Sequence, residues 1–487
     1  MYGWYTPPST RLLQGAHRPA YWPVRGHRAE EAAQPMSMST RPPPPGPKGH
    51  FLLGNLPEFS KDLLGFITQC AREYGDIVRL RLANRVAYLL NHPDYIEYVL
   101  VTNHRNFVKN SFFWRHVKAV FGSGLLTSEG DFWLRERRLC QPAFHREQIA
   151  GYGQVMVNLT AQILADWHDG EVRDVHQDMM RLTSRIASRT LFGTDVGAEV
   201  EQIEPAVNVV IKEIAVRFRR PFPIPDSVPT PRNLRYRAAI KRLDDLIYRV
   251  IRERRAAAGA GGERGDDLMS LLLHAQDIDG TRMTDRQLRD EAMTLFIAGH
   301  ETTALALSWT WYLLSQHPDI EAKLWAELQT VLGGRPPGVA DLARLTYTER
   351  VVMESLRLYP PAYGFGREAL QDCEIGGYSV PKGTTLFMSQ WVMHRSSRYF
   401  PDPEAFLPDR WADGLAKRLP RYAYCPFGGG PRTCIGSGFA MMEAVLLLAT
   451  IAQKFRLTLV PGHPIALYPS LTLRPAHGVR VVLERRR

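Results

Sequence analysis

Phe427-Gly-Gly-Gly-Pro-Arg-Thr-Cys434-Ile-Gly436 is the stretch on which the reading of this chain turns. It has the form F-x-x-G-x-R-x-C-x-G: one thiol in a glycine-rich loop, with an apolar helix expected directly after it over 436–455. A lone cysteine without a nearby Cys or His partner is a poor zinc site, because structural zinc fills every coordination position from the protein. It suits a haem iron that takes one axial thiolate and finds its other ligands elsewhere. Gly430 and Gly436 lack a side chain where the backbone would pass close to a flat macrocycle. The amides of Ile435 and Gly436, at the positive start of the next helix, favour thiolate over thiol. Arg432 offers a fixed charge for a propionate, and Phe427 would cover the sulfur. A phosphate-cradling loop is excluded, since no Lys-Ser or Lys-Thr pair follows the glycines.

Every fixed position of this decapeptide resembles the haem-binding signature of the cytochrome P-450 family. A second stretch, Ala298-Gly-His-Glu301-Thr302-Thr303, is similar to that family's oxygen-activation motif. It lies within a helix expected from the capping-box sequence Thr284-Asp-Arg-Gln287 to His317-Pro318, roughly 50 Å long. Polar residues and a glycine in an apolar helix cost stability. Either a hydroxyl bonds back to the carbonyl a turn earlier, or local strain opens the ladder to water. The resemblance implies that Thr302 holds dioxygen and its water at the cofactor while Glu301 relays protons.

Glu354-Ser-Leu-Arg357 is a weak signal alone, but it precedes the cysteine by about eighty residues, with Pro408-Asp409-Arg410-Trp411 between. In the family such a Glu and Arg join an arginine of a P-E-R-F segment; here Glu354, Arg357 and Arg410 would form that structural triad, with Asp and Trp replacing Glu and Phe. Trp133 and Arg137 match the family's W-x-x-x-R feature, and with Arg432 and Arg367 they are the implied propionate contacts. By the same resemblance the aromatic stretch 107–121 caps a distal pocket, for which Phe112, Phe113, Val117, Phe296, Ala298, Ala362, Tyr363 and Phe365 are candidates. An apolar pocket points to a lipophilic substrate such as a fatty acid, terpenoid, steroid or polyketide.

The rest of the chain agrees with one large unit. It has 487 residues, 45% hydrophobic, with no long linker after residue 50. Residues 1–40 form an extension expected to be disordered or non-native, and 41–487 a single domain. Five scattered cysteines, without a C-x-x-C pair, point to a reducing compartment, here the cytoplasm. Net charge is +11, but arginines are dispersed and no nucleic-acid motif occurs. Arg135, Arg138, Arg146 and Arg421 are candidates for a basic patch that docks an acidic reductant. No apolar run is long enough for a transmembrane anchor. Hydrophobic periodicity predicts a hairpin over 76–90 turning at Ala83-Asn84, a short helix from His92-Pro93-Asp94, and helices over 145–168, 171–192, 200–218 and 233–258. A flexible loop is expected at 256–265, and strands at 374–380, 384–389, 456–460 and 478–484. These elements make the fold class mainly α with a small β lobe (α+β), and the resemblance implies the P-450 fold, with one long central helix crossing over the haem.

The implied activity is a haem-thiolate monooxygenase containing haem b (iron protoporphyrin IX), acting on a lipophilic substrate by hydroxylation or epoxidation with molecular oxygen. No flavin or iron–sulfur segment follows the cysteine, so electrons would come from a separate ferredoxin or flavodoxin and reductase. Two alternatives remain at this point: a peroxide-dependent peroxygenase or isomerase on the same fold, and a non-catalytic haem sensor or carrier.

Overall fold

The computed structural model describes residues 42–486 apart from 194–196, 220–223, 226, 260–266 and 278–279, and only the backbone at 112–113, 197–203, 218–219 and 257–259. The expected N-terminal extension therefore lies outside the described residues. The helices that build the site are, in chain order, α1 (Gly130–Cys140), α2 (Gly153–Ala165), α3 (Val175–Phe192), α4 (Gly197–Arg219), α5 (Pro231–Gly259), α6 (Asp285–Gln316), α7 (Thr346–Leu358) and α8 (Ser437–Ala452). The strands that matter are β1 (Ile77–Leu82), β2 (Arg85–Leu90), β3 (Phe107–Val108), β4 (Phe365–Ala369), β5 (Thr385–Met388), β6 (Phe455–Leu459), β7 (Leu467–Pro469), β8 (Leu473–Pro475) and β9 (Arg480–Arg485).

The centre is α6. Thr284 and Gln287 close the capping box in both directions, at 3.3 Å from the Gln287 amide and 2.9 Å from the Thr284 amide. The helix stops before Pro318, whose ring disfavours helical backbone at His317. Its longest packing partner is α3, and α5, α7 and α8 cover its other sides. So enclosed, it is buried on almost every face, in accord with an all-round apolar sequence. In its middle, however, Ala298 is exposed and Leu295, Gly299 and Thr302 are half-buried. These four fall at i, i+3, i+4 and i+7, one face of the helix, so the stripe borders an opening inside the fold.

The sheet stands to one side. β1 and β2 pair from Ile77↔Leu90 to Leu82↔Arg85, with Ala83 at φ +56° in the turn. The sheet order is β1-β2-β5-β4-β3, with β2 and β5 parallel. Val78 and Leu89 of the hairpin share a cluster with Leu305 and Trp309 of α6. Trp309 stacks on Tyr359 at 4.6 Å, which ties α6 to the end of α7.

Several expectations are corrected. The 145–168 helix is two, Arg146–Gly151 and α2, parted at Tyr152 between two glycines that hold helical backbone poorly. At 171–192, residues Val172–Asp174 are a strand on β9, and Asp174 starts α3 by accepting from the His176 amide. The 374–380 strand is a hairpin, Cys373–Ile375 with Tyr378–Val380, folded at Gly376 and Gly377, both at positive φ. Of the 256–265 loop, the backbone through Gly259 continues α5, and 260–265 lie outside the described residues.

Candidate functional site

Cys434 is held at the end of a loop whose glycines have local reasons. Gly430 sits at φ +67°, and a Cβ there would lie 2.0 Å from the Leu100 carbonyl oxygen. Its glycine is thus demanded by the close Leu100 carbonyl. Gly436 has ordinary φ (−89°), and a Cβ there would meet only the Phe144 ring, at 3.7 Å. The Cys434 amide donates to the Phe427 carbonyl at 3.0 Å, and Thr433 Oγ1 donates to Gly430 O at 2.8 Å. Alone among the five cysteines, Cys434 is exposed. Even so, burial pushes its thiol up, against a Gly436 amide hydrogen bond and the Arg137 charge, which pull it down. The sulfur thus opens on a space walled by protein. Arg137 reaches the same loop, donating from Nη1 to Thr433 O at 3.0 Å and from Nε to Gln141 at 3.0 Å.

Beside the loop, cations outnumber acids. Arg432 lies over the Trp133 ring at 4.3 Å and donates to Ser128 O (2.7 Å) and Glu129 (2.5 Å). Its Nη1 is buried without a partner. Arg367 is pushed down to about 10, by burial first and then by Arg432. A third cation joins them that sequence reasoning missed: Lys109, whose Nζ donates to Leu126 O at 2.8 Å. Burial, then Arg367 and Arg432, hold Lys109 well below the usual lysine range. Three cations around one carboxylate, Glu129, leave positive charge unmatched, and an anion there would relieve it. The lysine lies in the aromatic stretch 107–121, where its charge was the available signal.

On α6, the hydroxyl of Thr302 donates to Ala298 O at 2.8 Å, the first of the two outcomes foreseen for this notch. A Cβ on Gly299 would meet nothing within 4 Å. Glu301 points elsewhere. Buried to 1% exposure, it accepts at Oε1 from Thr472 Oγ1 (2.7 Å) and Arg474 Nε (2.7 Å).

Of the pocket candidates, Ala298 and Ala362 are exposed and Phe365 half-buried, while the side chains of Phe112 and Phe113 lie outside the described set. Three are corrected. Val117 is fully buried in the helical core. Phe296 is stacked with His300 at 5.1 Å and tilted against Phe192, because α6 is packed on that face too. Tyr363 turns its ring into the sheet-side cluster and donates its hydroxyl to Ser470 O at 2.6 Å. Leu295 joins the accessible stripe unforeseen. Arg135 is also corrected: it does not stand free for a partner, since it pairs with Glu136 (2.8 Å) and Asp277 (3.1 Å). Arg138 is exposed, and Arg421 reaches Glu97 at 3.3 Å.

The structural triad is a closed knot. Glu354, fully buried, accepts from Arg357 Nη2 (2.8 Å) and Nε (2.9 Å), Arg410 Nε (2.9 Å) and the Leu407 amide (3.0 Å). Trp411 Nε1 adds a fifth donor at 2.8 Å. Arg357 spends its other donors on the carbonyls of His394, Pro403 and Ala405.

A sequence model of the family described as Cytochrome P450 matches residues 44–478. The chain belongs to the cytochrome P450 family. Cyclooctatin synthase of Streptomyces melanosporofaciens is 40% identical over 414 residues, covering 85% of this P450 and 89% of that relative. Pentalenene oxygenase of Streptomyces avermitilis is 39% identical over 401 residues, covering 81% and 87%. Among solved structures, the retinoic acid-bound cyanobacterial CYP120A1 superposes with a TM-score of 0.82 at 27% identity, covering 92% of this P450 and all of that chain. The protein is a P450 monooxygenase with the family's mainly helical α+β fold, and its cofactor is haem b. The residues present fit that group: an accessible thiol supported by an amide, an orphaned guanidinium nitrogen on Arg432, and uncompensated cations for two propionates. Among the described residues no helix is long and apolar enough to cross a membrane.

Proposed function

We propose that this P450 inserts one oxygen atom from dioxygen into a C–H or C=C bond of a lipophilic, terpenoid-like substrate in the cytoplasm, with electrons from a separate ferredoxin or flavodoxin and its reductase. The observation that carries the reading is the accessible stripe on α6: Leu295, Ala298 and Gly299 are small or apolar, and Thr302 alone brings a hydroxyl. Such a wall binds hydrocarbon and offers one point of proton exchange. The names of two similar proteins, one oxygenating pentalenene and one holding retinoic acid, support a terpenoid over the other lipophilic classes.

Haem b bound through Cys434 supplies the activation of dioxygen, favoured by electron density from the thiolate. The chain's own residues do the rest. Thr302 gives its proton to Ala298 O and so presents lone pairs to the opening; exchanging that bond lets it donate inward. Glu301 is the acid that resupplies it. Trp133, Arg137, Arg367, Arg432 and Lys109 anchor the propionates, and Phe427 shields the sulfur. Residues 41–487 act as one domain, and a reductant docks on a basic face that includes Arg138 and Arg146 while Arg135 stays in its ion pairs.

Thr302→Ala tests the reading. Reductant consumption should persist while product per electron pair falls about tenfold or more and peroxide rises. Full coupling in that variant would overturn the assignment of Thr302.

A further inference from the structure

Past the C-terminal end of α6 lies a second place where a buried charge is left incomplete. Two hollows of about 370 and 470 Å³ open there, and they share one wall, the ion pair of Arg395 and Glu404 at 3.1 Å. The smaller is backed by the helix Leu63–Tyr74 and rimmed by the exposed Arg72 and Glu73. The larger lies between the last turn of α6, the start of the helix Pro318–Leu332, the end of α7 and residues 404–407. Tyr312, its first residue on α6, is ten residues beyond Thr302. That is roughly 15 Å along the helix, so the larger hollow is not the opening beside the stripe.

The Arg395 side chain is only 6% exposed, and its guanidinium carbon lies 3.4 Å over the Trp391 ring. Nε donates to Glu404 Oε2 at 3.1 Å, while Nη1 is buried without a partner. A ring contact engages the flat face of a guanidinium and leaves its in-plane N–H groups to find acceptors. Burial pushes Arg395 down to about 10, against the pull of Glu404. Glu404 is a loose partner, since its side chain is 61% exposed and exposed carboxylates hold cations weakly. The remaining ionisable groups of the larger hollow are the exposed Asp319 and His317, the latter held on Leu313 O at 2.8 Å. Much of its wall is hydrocarbon: Leu313, Ile320, Leu358 and Phe406 are buried, and Leu407 is exposed beside them.

We propose that the larger hollow binds a small amphiphilic carboxylate, whose head displaces Glu404 from Arg395 and takes up the Nη1 donor while its hydrocarbon body covers Leu358, Phe406 and Leu407. Two parallel N–H groups of a guanidinium suit one carboxylate, and Glu404 uses a single donor. Nη1 is closed off while the pair is intact, so the acceptor enters as the exposed Glu404 swings away. The unmet donor supplies a gain that Glu404 does not collect. Trp391 keeps Arg395 in place during the exchange. The site is separate from the oxygenation pocket and does not rest on the activity proposed above.

The test uses the haem-loaded enzyme, with an azole on the iron to keep the oxygenation pocket filled, and follows binding by titration calorimetry. Dodecanoate should bind at one equivalent. Dodecanol should bind about tenfold more weakly or worse, and acetate should give no heat at the same concentrations. Glu404→Ala, at an exposed side chain, removes the competing carboxylate and should tighten dodecanoate about three- to tenfold. Arg395→Met should weaken it about tenfold or more. Absence of dodecanoate binding, equal binding of dodecanol, or unchanged or weaker binding in Glu404→Ala overturns the proposal. Acetate binding as tightly as dodecanoate also overturns it, by leaving a plain anion site. Because Glu404→Ala is expected to gain affinity, a failure of Arg395→Met to fold leaves the test decisive.

Discussion

Glu354 and Glu291 are both removed entirely from water, and their surroundings could hardly differ more. Glu354 is met by five donors from two arginines, one indole and one amide. Glu291 has one, the Leu125 amide at 3.1 Å, and its Oε1 has no partner. The arginine nearest to it in sequence, Arg289, is committed to Asp244 and, at 2.9 Å, to Asp290. Across from it on α1, Glu136 likewise has a bare Oε2, with Oε1 held by Arg135 and Gln287. The contrast shows what burial alone does not decide. A sunken carboxyl stays charged when donors surround it and turns neutral when they do not. Burial first, then repulsion from Glu136 and Asp290, pushes Glu291 up to about 8.

The largest effect should come from opening the well-partnered site. Glu354→Gln keeps the shape but leaves the guanidinium groups of Arg357 and Arg410 without their counter-charge, at a cost of about 3–5 kcal/mol. Denaturant unfolding should register that loss, and the carbon monoxide spectrum of thiolate ligation should weaken as the loop beneath loosens. A variant as stable as the wild type would end the contrast.

The poorly partnered site should respond to pH instead. Because Glu291 holds its proton to about 8, against 4.5 ordinarily, folding takes up a proton between those values. Stability from this group is complete below 4.5 and is lost as pH rises through 8. Glu291→Gln, neutral at every pH, should match the wild type in mild acid and surpass it near pH 9. Parallel melting-temperature profiles for the two proteins would show that Glu291 is ionised after all. At the small end, Lys323 pairs with Asp409 at 2.7 Å on the open surface. Lys323→Ala should leave the melting temperature unchanged, since exposed pairs contribute little.

What was legible in the sequence were the features whose parts lie close together in the chain. The Thr284–Gln287 capping box, the Ala83-Asn84 turn and the decapeptide around Cys434 each carry their own geometry in a few residues. Features assembled across the fold were not. Glu301 and Arg474 are 173 residues apart, and Glu136 and Glu291 are 155 apart; neither distance is bridged by any periodicity. Lys109 joins Arg367 and Arg432 through folding alone. Trp411 could be read as aromatic bulk, but not as the donor that completes Glu354. Phe296 is misplaced for a different reason: on a helix apolar all round, sequence does not tell the face that meets a cavity from the face that meets another helix.

The order in which these parts leave the ribosome has its own consequence. Cys434, the Thr472–Arg474 grip and the arginine that completes the Glu354 knot all follow α6 by about a hundred residues or more. More than four hundred residues must emerge before the thiol exists. Throughout that interval α6 has its apolar circumference made and its final companions α7 and α8 still unsynthesised, so the nascent chain carries exposed hydrophobic surface that invites chaperones or aggregation. Cofactor capture is therefore a late event in biogenesis, and slowing translation shortly after α6 should lower the yield of pigmented protein more than the same pause placed after α8.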